Sequence, residues 1–335
     1  MKKQIFVIGI FLILLIGSIG CFEEDRADQK EEDSSKVEET DNNYNISYPN
    51  FTASNYPDVD GSTSAEPLNM LIACKLLGSN YVWKENMDGS KRLIPVINTS
   101  QPWNINTTIT NIVNHNGTHG SYVNLINKSA DLILVARQPS EDELELAEQK
   151  NVSLIVEPCA YDAFVFIINK HNIVNNLNIS EIQGIYTGNI TNWNEVGGNN
   201  TKINAYQRNK NSGSQELMET LVMENLEMIN TSNMITYSMT GPFNHINSDT
   251  QGIGYTVYFY EIKMSWNENI KKVSINGVFP NNETISSGEY PLRTKVYIGT
   301  RKNLDKDSNA YKLKEWILSD DGQKIVEETG YVPLI

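Results

Sequence analysis

An α/β fold in two domains, each a mostly parallel sheet flanked by helices, is predicted by three features of the sequence. Strand-like and helix-like segments alternate along residues 44–335, the pattern of sheets wound through crossover helices. Two strand segments, 132–135 and 163–168, are continuous apolar runs, as strands covered on both faces are. About 290 residues remain once the polar N-terminal part is set aside, more than a single core ordinarily organises.

The elements can be justified in order. At 66–77 (EPLNMLIACKLL) apolar residues recur at helical spacing, and Pro67 stands in the first turn, where its missing N–H costs nothing. A strand pattern follows at 92–97 and a short helix signal at 122–127. The segment 141–150 reads as a helix capped by Ser140 with acids in its first turn. Strands are expected at 152–156 and 163–168, then helices at 180–186, with a serine cap, and at 215–225. Strand patterns at 254–259, 272–275 and 295–298 precede a terminal helix pair at 310–329. No internal repeat is visible.

The N-terminal part is of a different kind. Lys2 and Lys3 precede a nearly unbroken apolar run at 5–16, then Gly17, Ser18, Ile19 and Gly20 lead to Cys21. This reads as a secretory signal of the lipoprotein type, residues 1–21, with lipid on Cys21. Ser18 departs from the usual lipobox, and the run is short for a spanning helix, which needs roughly 20 residues. An uncleaved anchor is the alternative, and either reading holds the rest of the chain outside the membrane. Residues 22–43 carry 10 acids and 3 bases with almost no large apolar side chain, which predicts a disordered, self-repelling tether.

Composition narrows the function. The formal charge is −14, from 41 acids against 27 bases, which argues against a nucleic-acid partner. Three cysteines form neither a disulfide framework nor a four-ligand zinc site, and four histidines are few for a metalloenzyme. No cofactor motif stands out. About a dozen Asn-X-Ser/Thr sequons occur in this Asn-rich chain, and an extracytoplasmic setting would expose them to glycosylation.

Three loops carry the chemistry. In the first, Asp60-Gly61-Ser62-Thr63-Ser64-Ala65-Glu66-Pro67, hydroxyls enter a helix start whose free N–H groups and dipole favour an anion. Plain N-capping by Ser64 is the bland reading. The second loop, Asn116-Gly117-Thr118-His119-Gly120-Ser121, also enters a short helix. His115 and His119 are four apart, yet the glycines and the lack of a carboxylate cluster argue against a metal site. In the third, Arg208 stands four residues before Ser212-Gly213-Ser214, which opens a helix; a guanidinium there offers a bidentate grip on a tetrahedral oxyanion. Three hydroxyl-rich helix starts, one with an arginine, point to one shared oxyanion site.

These loops belong to a longer pattern: YPDVDGSTSAEPL (56–68), THGSYVNLI (118–126), ADLILVARQPSEDELELA (130–147), YDAFVFIINK (161–170), IYTGNITNWNEVGG (185–198), RNKNSGSQE (208–216), GIGYTVYFY (252–260) and SDDGQKIVEETGYVPL (319–334). In this order, from about residue 50 to the end, the chain resembles the extracytoplasmic phosphate-binding proteins of ABC-type phosphate transporters. The resemblance implies a two-domain periplasmic-binding-protein-like fold of type II, closing on its ligand between the domains. Domain 1 would comprise 44–160 and 255–335 and domain 2 residues 161–254. It also implies phosphate contacts from Ser62, Thr63, Ser64, Thr118, Arg208, Ser212, Gly213 and Ser214, with a membrane permease as partner.

Two departures stand out. Relatives place an aspartate after the strand at 131–135 that accepts the proton of hydrogen phosphate; here Ala136 and Arg137 follow. Arg137 is therefore a candidate ligand of the anion, which would favour more highly charged, sulfate-like oxyanions; otherwise it faces solvent or pairs with Glu141 or Asp142. Ile173 stands where relatives carry proline. Cys74 and Cys159 are expected as buried free thiols rather than a disulfide. The reading is a lipid-anchored phosphate-capturing protein of an importer. A surface sensor or adhesion protein of the same fold is an alternative. An enzyme is not expected, since neither a metal cluster nor an activated nucleophile is visible.

Overall fold

The computed structural model describes residues 46–96, 109–224 and 226–335. The expected lipidated Cys21 and the tether at 22–43 lie outside the described residues, as do the sequons at Asn45 and Asn106. No helix among the described residues is long and apolar enough to cross a membrane.

A seven-stranded sheet organises the fold. Its path runs through Val59–Gly61, Leu132–Val135, Arg293–Arg301, Leu154–Asn169, Gly252–Val257 and Asn204–Ala205, with Ile270–Lys272 also on the long strand. Val59–Gly61 pairs in parallel with Leu132–Val135, and Gly252–Val257 in parallel with Asn204–Ala205. The long strands between them run antiparallel. The apolar run Leu132–Val135 is fully buried, as its sequence requires.

Leu154–Asn169 sets the architecture. The sequence reads as two strands, at 152–156 and 163–168, but the structure makes one of 16 residues. Its first half pairs with Arg293–Arg301 and its second with Gly252–Val257 and Ile270–Lys272. The register slips between Val296 and Tyr297, which lie opposite Ala160 and Pro158. The bulge leaves Cys159 as the extra residue, and a proline, lacking a donor, is tolerated in a strand at such a point.

Helices cover the sheet. Glu66–Leu77 ends at Gly78, whose φ of 69° is the left-handed conformation glycine adopts without strain. Glu141–Gln149 begins in a capping box of Ser140 and Glu143. Ile179–Thr187 is capped by Asn178 rather than by the expected serine, with Glu181 closing the box. The helix expected at 215–225 is short, Gly213–Leu217, and widens into a π-type turn at Met218–Met223. Asn309–Leu318 and Asp320–Thr329 form the terminal pair, capped by Ser308 and Ser319. The rings of Phe164, Phe166, Tyr186 and Tyr255 pack together beside the second half of the long strand. Cys74 and Cys159 are buried free thiols, as expected.

Candidate functional site

Asp60 builds two of the three loops. Its buried carboxylate accepts from Gly61 N–H (2.7 Å) and Asn116 N–H (3.0 Å), and from the side-chain amides of Asn116 (2.8 Å) and Asn124 (2.7 Å). These bonds tie the loop after Val59–Gly61 to the start of the helix Gly117–Ile126. Gly61 is obligatory there, because a Cβ would meet the Leu134 carbonyl oxygen at 2.7 Å.

The chain then turns back on Ser62. Its carbonyl accepts from Ala65 and Glu66 N–H, and its own N–H reaches Leu134 O at 2.9 Å. Ala65 is the helix cap and offers no side-chain bond, so the Ser64 hydroxyl is not consumed by capping. It lies 3.2 Å from the Ser62 hydroxyl. The N–H groups of Thr63 and Ser64 find no acceptor among the described residues. Behind the loop, the buried Tyr331 hydroxyl donates to Ser64 O at 2.8 Å.

The third loop meets the second at closest approach. Ser212 caps Gly213–Leu217 by accepting from Gln215 N–H. A Cβ on Gly213 would lie 2.7 Å from Thr118 Oγ1, so only glycine allows this approach. Arg208 closes the end of the short parallel pair Gln207–Arg208 and Ile235–Thr236. Its N–H donates to the Tyr255 hydroxyl (3.0 Å), its Nε to Thr236 O (3.3 Å), and its Nη1 to Met239 Sδ (3.0 Å). It is 7% exposed, and among the described residues it has no carboxylate partner. Burial lowers its pKa, partly opposed by the Tyr255 and Tyr260 hydroxyls. An unpaired buried guanidinium is costly, and the remedy lies in what it faces.

Ser62, Thr63, Ser64, Thr118, Arg208, Ser212, Gly213 and Ser214 all line one cavity of about 620 Å³. Arg137 does not, which corrects its expected place among the anion ligands. Ala136 faces the cavity, and Arg137, in the bend that follows the strand Leu132–Val135, is turned away from it onto Glu143. Arg137 is buried, with Nη1 and Nη2 forked onto the Glu143 carboxylate at 2.8 and 2.9 Å and its guanidinium over the Tyr122 ring. Burial opposes its charge, but the bonds to Glu143 prevail and raise its pKa. The partner is neither Glu141 nor Asp142. Glu143 is fixed by the capping box, accepting from Ser140 N–H at 2.9 Å, and its side chain is wholly buried.

Several cavity residues lie outside the expected loops. The hairpin of Tyr81–Glu85 and Lys91–Pro95 brings Asn86, Asp88, Ser90 and Arg92 to its wall. Asp88 accepts from Ser90 Oγ at 2.6 Å, which with other bonds lowers its pKa, and its other oxygen lies 3.4 Å from Thr240 Oγ1. An Asp-Gly pair between alternating segments signals such a turn, and Asp88-Gly89 is one. Glu66, nearly buried, accepts from Arg92 Nε (3.2 Å) and also bonds Arg92 Nη2; His115 Nδ1 lies 3.2 Å from the same oxygen. Burial raises the Glu66 pKa, but these partners outweigh it and the net shift is downward. His119 Nδ1 lies 3.0 Å from Glu143 and, with Asp142, completes a group that could in principle hold a metal ion. Glu143 already serves the Arg137 guanidinium, so a cation is provided there by the protein itself.

The cavity thus combines one unpaired guanidinium with neutral hydroxyl and N–H donors from three loops, the equipment of an oxyanion receptor. Residues 100–321 match the family model of the PBP superfamily domain. The phosphate-binding protein PstS of Borreliella burgdorferi is 27% identical over 216 residues, covering 62% of this chain and 74% of that protein. A substrate-binding protein assigned to a phosphate ABC transporter of Clostridium perfringens, solved with bound phosphate, superposes with a TM-score of 0.62 at 21% identity, over 84% of this chain and 100% of that one. An ABC-type phosphate transport receptor from Vibrio cholerae gives a TM-score of 0.58 at 21% identity, over 82% and 98%. With the family model matching most of the chain and the fold shared with these structures, the protein belongs to the PBP superfamily.

Proposed function

We propose that this protein captures inorganic phosphate outside the membrane and delivers it to the permease of an ABC-type importer, without transforming it. The observation that carries this reading is Arg208, a buried guanidinium without a carboxylate partner among the described residues, facing a cavity lined by the Ser62–Ser64, Thr118 and Ser212–Ser214 donors. Its likeness to PstS and to phosphate-bound neighbours supports the choice of anion. With Arg137 engaged by Glu143, the argument for a doubly cationic, sulfate-like site loses its basis. The carboxylates of Glu66, in the first loop, and Asp88, in the hairpin, also line the cavity and favour an anion that carries a proton. Calorimetric titration with phosphate and sulfate, beside a phosphomonoester hydrolysis assay, tests the reading. Tight phosphate binding, weak sulfate binding and no hydrolysis are expected; turnover of the ester, or no binding of either anion, refutes it.

The finer assignments belong to the same proposal. The two-domain division at 44–160 with 255–335 and at 161–254 is retained, except that 270–275 goes with the second domain because it pairs with residues 167–169 and 176–177. Residues 1–21 are a lipoprotein signal, and lipid on Cys21 holds the folded part at the extracytoplasmic face through the acidic tether.

A further inference from the structure

Asp162 is a buried carboxylate that the oxyanion site does not use. It is 3% exposed and sits on the long strand where pairing with Arg293–Arg301 gives way to pairing with Gly252–Val257. One oxygen, Oδ1, accepts from Ala163 N–H at 2.8 Å and from Phe259 N–H at 3.0 Å. It therefore pins the long strand to the segment just after Gly252–Val257, the two places where the chain would pass between domains. The Phe259 ring stacks on Tyr331 at 3.8 Å between centroids, and the Tyr331 hydroxyl holds Ser64 O at 2.8 Å. A continuous set of contacts thus runs from the carboxyl to the loop whose free N–H groups face the cavity.

Among the described residues the carboxyl makes no ion pair, and the residue opposite it on Arg293–Arg301 is the uncharged Thr294. The titratable groups facing it are Tyr258 and Tyr331; burial raises the pKa of both, and the Asp162 charge adds to the rise, as do Glu261 for Tyr258 and Cys159 for Tyr331. Burial pushes Asp162 up to about 7, and its two backbone bonds only partly offset this. A dianion held at the front of the Ser64 loop is a like charge acting through a low-dielectric interior, where repulsion carries far further than in water. Linkage is reciprocal: an anion that disfavours the carboxylate must bind better once that carboxylate is neutral.

Resting on the oxyanion reading of the cavity, we propose that Asp162 is a proton-linked positioning residue, partly ionised near pH 7 when the cavity is empty and protonated when a dianion is held. Anion capture then draws a proton into the interior, onto an Asp162 oxygen, and release returns it to solvent.

The test is calorimetry near pH 7 in buffers of different ionisation enthalpy, on wild type and Asp162→Asn, with inorganic phosphate and then sulfate. An asparagine oxygen can still accept both backbone bonds, and the anion's own protons are common to both proteins. The wild-type-minus-variant difference therefore reports Asp162, and an uptake of up to roughly half a proton is expected. The wild-type Kd should exceed the variant's by roughly five- to tenfold at pH 8.5 and converge with it at pH 5.5. Equal proton uptake with a flat Kd ratio overturns the proposal. Should the variant not fold, infrared difference spectra of the wild type decide: a protonated-carboxyl band must grow on anion binding at pH 7, and an unchanged band refutes the coupling. Absence of binding by either anion sinks the oxyanion reading itself, whereas binding without the proton difference sinks this inference alone.

Discussion

Two arginines, 7% and 6% exposed, should respond in opposite ways to the same substitution. Arg208→Met removes a buried charge that has no carboxylate partner, giving up bonds to Thr236 O and Met239 Sδ. Loss of the desolvation penalty offsets those bonds, so the ligand-free protein should unfold at an unchanged or higher temperature. Anion binding should weaken by about 2–5 kcal/mol, the cost of truncating one side of a buried charge pair, or roughly 30- to several-thousand-fold in Kd. Arg137→Met does the reverse. It leaves Glu143, whose side chain is 0% exposed, with only Ser140 N–H and His119 beside it. An uncompensated buried carboxylate should destabilise the fold by roughly 3–5 kcal/mol, while affinity at saturating folded protein stays within a few-fold. Thermal or denaturant unfolding and phosphate titration on both variants measure the four quantities. Equal destabilisation by the two substitutions, or equal loss of affinity, would show that the distinction between a paired and a waiting guanidinium is wrong.

Three further outcomes are expected. Gly213→Ala should weaken phosphate binding at least tenfold with little effect on helix content, because its Cβ must displace Thr118 Oγ1, 2.7 Å away; wild-type affinity would contradict the close approach of the two loops. Asp162, with its pKa raised to about 7 from an ordinary 3.8, favours the fold while protonated. That contribution is complete below pH 4 and is lost as pH rises through 7; it amounts to roughly 4 kcal/mol at most and should be missing from the stability profile of Asp162→Asn. Cys21→Ser should abolish lipid labelling and release the protein from the membrane fraction; unchanged processing and membrane attachment in the variant would favour an uncleaved anchor.

The meeting of the three candidate loops at one cavity was legible from local signals. Hydroxyl runs before helix starts, with an arginine four residues from Ser212-Gly213-Ser214, are local signals, and all three loops converge on one cavity. Arg137 was misplaced because local spacing does not tell which partner a side chain meets: Ala136 lines the cavity, whereas Arg137 is drawn to Glu143 on the following helix, a tertiary contact. The long strand was read as two, at 152–156 and 163–168; the bulge that carries the strand past Pro158 depends on Val296 and Tyr297, nearly 140 residues away, which no window contains. The pairing of Glu66 with Arg92 and His115 was not legible for the same reason, since their meeting is a tertiary event. The Asp88-Gly89 turn, by contrast, was there to be read.

The bond from Tyr331 to Ser64 spans 267 residues of sequence. A contact of that separation closes an enormous loop, and its entropy must be met before any local gain arrives. The Ser64 loop can gain this support only once residue 331 has been made and brought back against it. A nascent or partly threaded chain can possess every donor of the cavity and still lack the backstop that aims the Ser64 segment. Capture is thereby tied to completion of the polypeptide. Fraying of Asp320–Thr329, a local opening far cheaper than global unfolding, becomes a route by which heat or a protease can blunt affinity while most of the sheet remains intact.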